Sequence, residues 1–453
     1  MFRNIKELTT EELQKELQAI ELFEQEIGRV NVENMLNKSI NTSFLGPMNC
    51  TITPNGQLFR TDHQGFLPKM LEEMYEDRKK FKKLYLQAKQ EYENETDKSK
   101  KYEIEKRISK FNNLQLAKKV GLNSAYGALG SQYFRFYDLR MALAVTTAGQ
   151  LSIRWIEGKI NDYMNRLLKT DKDYVIASDT DSIYLRLGEL VDSVFDKDQQ
   201  KNVNRMISFM DNACEKKIQP YIDNSYQELA EYVHAYAQKM QMKREGLSDR
   251  GIWTAKKRYI LNVYNNEGVH YKEPELKIMG LEMIKSSTPG VVRGKMKDLI
   301  KVMISGGEKD VQNFVAEFRE EFNKLPPEDI SFPRGCNGIR NYSDPLALYK
   351  KGTPIHVKGA ILYNHFLTEK KLTKKYALIQ EGEKIKFTYL KMPNTFKDSV
   401  ISFPGRIPQE FDIHKFIDYD TQFEKTFLEP IAVIVEKLGW KVVHSDSIED
   451  FFT

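Results

Sequence analysis

The sequence predicts an α+β protein of more than one domain, on three observations. Two strongly charged helical patterns flank a short polar break; the strand-forming segment YVIASDTDSIYLRL (Tyr174–Leu187) follows an apolar segment, Ala125–Trp155; and IWTAKKRYILNVY (Ile252–Tyr264) adds further β-rich sequence after another helical stretch. At 453 residues the chain exceeds one ordinary domain, so about two to three units are expected.

Taken in order, residues 1–62 read as a charged N-terminal helix over 5–28, opened by a capping box at Thr9 and Glu12, then a polar passage and a short hairpin, TITPNGQLF, turning at Pro54, Asn55 and Gly56. From Gly65 to Val120 the spacing predicts a long antiparallel helical hairpin. Leu67, Met70, Leu71, Met74, Phe81, Leu84 and Ala88 recur at helical spacing on the first arm, and Ile104, Ile108 and Phe111 on the second, with the break at Glu93–Lys101. An α+β core follows as far as Met283. SSTPG then opens a last portion, helical at first and of mixed character around IHVKGAILYN (Ile355–Asn364).

Composition narrows the class. Hydrophobic residues at 41% and charged residues at 29% are those of a globular protein, and 69 Lys+Arg against 64 Asp+Glu leave a formal charge of only +5. Nucleic-acid affinity must therefore come from local clusters, such as DRKKFKK (Asp77–Lys83) and AKKRY (Ala255–Tyr259), either of which could also be a solvated face. Cys50, Cys214 and Cys336 lie far apart without a CxxC pair, which argues against structural zinc and a disulfide framework. The charged start is no signal peptide, and no run reaches the roughly 18 apolar residues of a membrane span, so no membrane partner is expected.

The chemistry centres on SDTDS. Flanking β-branched residues make Ser178–Ser182 the turn, which brings Asp179 and Asp181 together. Two carboxylates that close repel unless a cation lies between them. Magnesium suits the place, since it takes hard oxygen ligands and commonly bonds one or two carboxylates together with water and phosphates. The reaction class implied is metal-assisted phosphoryl transfer, though an isolated Asp-rich turn can also merely satisfy its own backbone. On the helical hairpin, Arg78 and Lys82 share one face, as do Lys119, Asn123 and Tyr126. Three cations of this kind could grip a triphosphate, with Asn and an aromatic ring left for a sugar or a base pair. Read as a strand, AKKRY would point Lys256 and Arg258 to one side and Lys257 and Tyr259 to the other, so that one side could reach the minor groove of DNA, where acceptors recur in every correct pair.

These motifs together resemble family B DNA polymerases. KVGLNSAYGALG (Lys119–Gly130) is similar to their K-x-x-x-N-S-x-Y-G motif, SDTDS to their second catalytic aspartate motif, WTAKKRY (Trp253–Tyr259) to their third, and KIMGLEMIKSSTP (Lys277–Pro289) to the passage leading into the thumb. Order and spacing resemble the replicative polymerases of T-even-type bacteriophages over nearly the whole chain. The resemblance implies a fingers helical hairpin over 63–122, a mixed α/β palm over 123–288 and a mainly helical thumb over 289–453. It also implies that Arg78, Lys82 and Lys119 hold the phosphates of a dNTP, with Asn123 in the same face and Tyr126 under the nascent base pair. Asp181 would bind two catalytic Mg²⁺ ions, Asp179 would belong to the same metal site, and Glu245 would support it. Lys256, Lys257, Arg258 and Tyr259 would meet primer-template DNA. In the tail HSDSIEDFFT, Ile448, Phe451 and Phe452 resemble the family's sliding-clamp peptide.

Two departures stand out. The family's D-x-x-S-L-Y-P-S motif, which supplies the other catalytic aspartate, has no counterpart here, and neither do the proofreading exonuclease motifs. Ala177 and Ser178 also stand where the family usually has Tyr-Gly, a change that the turn should survive. The expectation is therefore the C-terminal half of a split polymerase, completed in the cytoplasm of an infected bacterium by a second polypeptide. That N-terminal half would carry the exonuclease and the first catalytic aspartate, and residues 1–62 would help to dock it. The alternatives are a catalytically inactive remnant that binds DNA and the clamp, and an artificial fragment.

Overall fold

The computed structural model describes residues 27–443, the side chain of Lys201 excepted. The Thr9–Glu12 capping box, nearly all of the 5–28 docking helix, and Ile448, Phe451 and Phe452 lie outside the described residues. The chain is α+β, as expected, and divides into two compact units. Among the described residues, unit one takes the chain up to Asp249 together with Asn262–Glu275, and unit two takes Arg250–Leu261 and the chain from Leu276 on. No helix among the described residues is long and apolar enough to cross a membrane.

Unit one begins with the short helix α1 (Val32–Leu36), capped by the Asn31 side chain, and a hairpin of β1 (Cys50–Ile52) and β2 (Leu58–Arg60). Its turn is the expected Pro54-Asn55-Gly56, with Gly56 at φ +78°. Helices α2 (Phe66–Asn94) and α3 (Lys98–Leu129) form the expected helical hairpin, 29 and 32 residues long. The break is shorter than the sequence suggested, only Glu95–Asp97, because Asp97 caps α3 by accepting from the backbone N–H groups of Ser99 and Lys100. Ion pairs Asp77–Lys118 (2.6 Å) and Glu91–Arg107 (2.8 Å) set the antiparallel register of the arms. The arms come close at Gly121, where a Cβ would lie 2.6 Å from the Met74 methyl, the movable end of a flexible side chain. Helix α3 runs without a break across 122–123, so the AYGALG sequence continues the second arm.

Helix α4 (Leu139–Leu168) is capped by Asp138 and buries Leu151, Trp155, Ile156, Ile160 and Met164, one helical stripe, in the core of this unit. The hairpin of β3 (Val175–Asp179) and β4 (Ser182–Leu185) lies on that core through Val175. After α5 (Gly188–Val194), helices α6 (Val203–Ala213) and α7 (Gln219–Tyr232) are joined through a π turn, Cys214–Ile218. A proline follows two residues after its end, Pro220, and the same order recurs in unit two, where Glu424–Leu428 precedes Pro430. A helical proline lacks the N–H for its i→i−4 bond and crowds the carbonyl four residues back, and a wider turn relieves both.

Strands β5 (Gly246–Ala255), β6 (Arg258–Asn266) and β7 (Val269–Met279) form a sheet in that order. They give Leu247 and Tyr264 to the core of unit one, and Ile252, Ile260 and Ile278 to that of unit two. In unit two, α8 (Gly290–Ser305) and α9 (Glu308–Phe322) pack with the chain around Phe423 and Phe427. The IHVKGAILYN segment lies within a single buried helix, α10 (Ile355–Glu369), where the sequence suggested mixed structure. Its first residues, Ile355-His356-Val357-Lys358, alternate apolar and polar as a strand would, and the short apolar run Ala360–Tyr363 carries no period that separates a buried helix from a buried strand. This helix covers a sheet of β8 (Phe332–Cys336), β9 (Glu383–Tyr389) and β10 (Val400–Phe403), ordered β10-β9-β8. Gly359 permits the approach, because a Cβ there would lie 2.6 Å from the backbone nitrogen of Ser402.

Candidate active site

The SDTDS turn is tighter than the sequence suggested. Ser178, Asp179 and Ser182 remain in the strands, paired Ser178 with Ile183 and Asp179 with Ser182, and only Thr180 and Asp181 form the connection. The Asp181 N–H donates to the Asp179 carbonyl at 2.7 Å, and Thr180 sits at φ +58°. The Thr180 hydroxyl donates to the Asp179 carboxylate at 3.0 Å. One carboxylate thus sits on each side of a single residue, with Asp181 exposed and Asp179 half-buried. Ala177 and Ser178 keep their cross-strand partners, Tyr184 and Ile183, and the irregularity in the ladder falls one residue earlier, at Ile176. Tyr226 on α7 senses the site: burial first, and then the charge of Asp181, push its phenol up to about 12.

The two carboxylates fit a hard divalent cation, which needs only one or two protein oxygens of this type when phosphates and water complete its shell. No group of three or more His, Cys, Asp or Glu able to hold a metal exists among the described residues, so Glu245 does not join Asp179 and Asp181 in one cluster. Glu245 is exposed at the mouth of β5, and its carbonyl accepts from the Glu267 N–H at 2.5 Å. Its neighbour Arg244 turns inward instead, to Asp211 and to Asn265 (2.6 Å). Among the described residues, the sheet that carries the aspartates has two strands, fewer than the three or more that usually make a sheet stable by itself.

The hairpin cations have three different environments. Lys119, Asn123 and Tyr126 are exposed along one face of α3, Tyr126 to 38%, as their spacing predicts. The register set by Asp77–Lys118 and Glu91–Arg107 brings Arg78 level with Lys119, and Lys82 lies one turn further along α2. Lys119 makes no ion pair among the described residues. Arg78 is half-buried, with a buried Nε that lacks a hydrogen-bond partner. Lys82 is engaged, in an ion pair with Glu267 at 2.5 Å. Sequence reasoning missed this acidic partner, and the only signal was an acidic residue in the turn sequence NNEGV.

The AKKRY segment overturns the expected alternation of a continuous strand. Lys256 and Lys257 form the two-residue connection between β5 and β6, exposed at its tip, with Lys257 at φ +62°. The physical reason lies in unit two itself. Gly280, at φ +67°, brings its α-carbon so close that a Cβ would sit 2.3 Å from the Lys257 carbonyl oxygen, and that contact fixes a turn that the local sequence does not announce. Arg258 points at Glu282, its guanidinium reaching both carboxylate oxygens at 2.8 and 3.1 Å. Tyr259 is buried and lies beside Trp253, ring centres 6.1 Å apart. Of the four residues expected on DNA, Lys256 and Lys257 are therefore the exposed pair, while Arg258 and Tyr259 hold the turn and the strand in place. Two separate sequence motifs, AKKRY and KIMGLE, meet in one joint.

Comparison with known proteins follows the same outline. A family model described as DNA polymerase family B matches residues 23–438. The DNA-directed DNA polymerase of Enterobacteria phage T4 is 36% identical over 368 residues, covering 77% of this chain and 40% of that protein. The corresponding enzyme of Escherichia phage RB69 is 35% identical over 330 residues, covering 70% of this chain and 36% of that protein. A DNA polymerase of Thermococcus gorgonarius is 23% identical over 394 residues, covering 85% of this chain and 41% of its own length. The chain thus spans about two-fifths of the length of the curated relatives it matches.

Proposed function

Because the chain belongs to DNA polymerase family B, we propose that it provides the polymerase part of a template-directed DNA polymerase, with fingers over 63–122, palm over 123–288 and thumb over 289–453. The observation that carries this reading is that one compact unit holds both the exposed Asp181 turn and the exposed Lys119–Asn123–Tyr126 face. In the reaction, a primer 3′-hydroxyl attacks the α-phosphate of a dNTP and pyrophosphate leaves. Arg78, Lys82 and Lys119 bind the triphosphate and stabilise charge on the departing pyrophosphate. Asn123 and Tyr126 orient the sugar and the nascent base pair, and Lys256 and Lys257 at the β5–β6 tip contact the primer-template backbone. Asp179 and Asp181 would hold magnesium, which when bound supplies Lewis-acid stabilisation of the reacting phosphate.

Catalysis by two Mg²⁺ ions normally takes carboxylates from more than one segment. The two-stranded aspartate sheet and the absence of a third nearby carboxylate among the described residues support a site completed by another polypeptide, the N-terminal exonuclease-bearing half. A sliding clamp would engage Ile448, Phe451 and Phe452, and the assembly would work in the cytoplasm of an infected bacterial cell. Primer extension with Mg²⁺ tests the reading, using this chain alone, a polypeptide carrying the remainder of a family B polymerase alone, and the two mixed. Extension is expected only in the mixture and is abolished by Asp181→Ala. Primer-template binding without extension in any lane would instead favour the inactive DNA-binding remnant.

A further inference from the structure

We propose that Glu267 is a positioning residue that competes with the incoming triphosphate for Lys82 and thereby sets how tightly nucleotide binds. The inference rests on the reading of Lys82 as a phosphate ligand and says what occupies it beforehand. Glu267 and Gly268 form the two-residue turn between β6 and β7, at φ +52° and +89°. Turns with positive φ at both positions favour Asn-Gly, Asp-Gly or Gly-Gly. An ordinary L side chain there costs roughly 1 to 2 kcal/mol. A glutamate at such a position calls for a reason, and its carboxylate supplies one, 2.5 Å from the Lys82 ammonium with both side chains about two-thirds or more buried (35% and 26% exposed).

The turn is built to hold that carboxylate still. Its base is Asn265, wholly buried, whose side-chain oxygen accepts from the Gly268 N–H at 3.0 Å and from Arg244 at 2.6 Å. The Glu267 N–H is bonded in turn to the Glu245 carbonyl. Helix α2 also rests on β7 at two points: Gln90 accepts from the His270 N–H at 2.9 Å, and the Lys89 ammonium lies 5.6 Å from the centre of the Tyr271 ring. Burial alone would lower the Lys89 pKa, but Tyr271, Tyr85 and Glu275 together hold it above its ordinary value, so that this cation stays charged. Lys82 and Lys89 are seven residues apart, on one face of α2, and that face is latched to the β6–β7 hairpin.

A triphosphate that recruits Lys82 must displace Glu267 from it. The pair therefore weakens nucleotide binding by its own strength and holds α2 until enough negative charge arrives. Removing the negative charge should release Lys82 without moving it. The test is equilibrium binding of dTTP, dTDP and thymidine, with primer-template, to this chain mixed with the polypeptide that carries the remainder of a family B polymerase, at low and high salt, for the wild type, Glu267→Gln, Lys82→Ala and the double variant. Glu267→Gln is expected to tighten dTTP binding about two- to fivefold, the strength of a partly exposed ion pair. The gain should be smaller for dTDP, nil for thymidine, and reduced at high salt. In the Lys82→Ala background it should vanish, since the two residues act through each other. Unchanged dTTP affinity in Glu267→Gln, an equal gain without Lys82, or an equal gain for thymidine would each overturn the competition and leave Lys82 as a ligand. No loss of dTTP affinity in Lys82→Ala, or no dTTP binding by the wild-type mixture, would remove the ligand role itself and Glu267's role with it.

Discussion

The α2–α3 hairpin of unit one and the α8–α9 pair of unit two are both helix pairs, yet they are stabilised by opposite means. Along 29 and 32 residues the hairpin buries only Ala88, Ile104, Gln115 and Leu129, and ion pairs such as Asp77–Lys118 tie its arms together. The 16 and 15 residues of α8 and α9 bury Val292, Met296, Leu299, Ile300 and Met303 on one helix and Val311, Gln312, Val315, Phe318 and Phe322 on the other. Apolar burial is the dominant stabilising term in folding, whereas exposed ion pairs contribute little. The hairpin devotes its surface to charge that a ligand can use, and α8–α9 devote theirs to a core. Substitutions should therefore change binding in the first pair and stability in the second.

The largest effect is expected in unit two. Phe318 is 2% exposed and meets Phe322, Phe423 and Phe427 at ring distances of 5.8, 5.7 and 4.8 Å. Phe318→Ala leaves a cavity among these rings and should cost about 3 to 5 kcal/mol of stability, read as a lower denaturant midpoint. A loss below about 1 kcal/mol would mean that the core reorganises freely and that the contrast between the pairs is false.

Gly280→Ala comes next and breaks a joint rather than a core. The added methyl meets the Lys257 carbonyl and must also adopt φ +67°, for an expected loss of about 2 to 3 kcal/mol. Its signature is a weakened affinity for primer-template that Lys256→Ala does not worsen further, because the displaced turn no longer presents that lysine.

This joint also marks how far the fold was legible in the sequence. The helical hairpin, the aspartate hairpin and the Asn55-Gly56 turn follow from local rules: helical spacing, β-branched flanks and a residue suited to positive φ. Lys256-Lys257 carries no turn residue, and its conformation depends on Gly280, more than twenty positions away, so a local reading extended the strand through it. Glu267 escaped for the same reason, since its partner Lys82 is 185 residues distant. Asp179, Asp181 and the Lys119–Asn123–Tyr126 face were legible because spacing within one element places them. Pairing between elements was not: it joins Arg258 to Glu282 and buries Tyr259 beside Trp253.

On the hairpin itself, Lys119→Ala should leave stability within about 0.5 kcal/mol of wild type, because the side chain is exposed and makes no ion pair among the described residues. Loss of a charge-assisted phosphate contact should nevertheless weaken dNTP binding by about 1.5 to 3 kcal/mol, roughly ten- to a hundredfold. A substitution that lowered both together would show that Lys119 supports the helix rather than the ligand.

The smallest effect is expected one residue away, and it gives the sharpest form of the contrast. Lys118 pairs with Asp77 at 2.6 Å, with 34% and 54% of the two side chains exposed, and this contact spans the two arms. The carboxylate of Asp77 is held below its usual range, first by the hydrogen bond from Lys118 and then by its charge. Asp77 therefore contributes stability above the ordinary carboxylate range, and that contribution is lost as pH falls through its lowered folded value. Solvent screening keeps the contribution small, and Lys118→Ala should barely shift the denaturant midpoint, with dNTP affinity unchanged at neutral pH. Adjacent lysines on one helix would then separate, Lys119 acting on the ligand and Lys118 on the partner arm. Equal losses of nucleotide affinity in the two variants would mean that the hairpin binds phosphate through its summed charge and not through the face that Lys119, Asn123 and Tyr126 define.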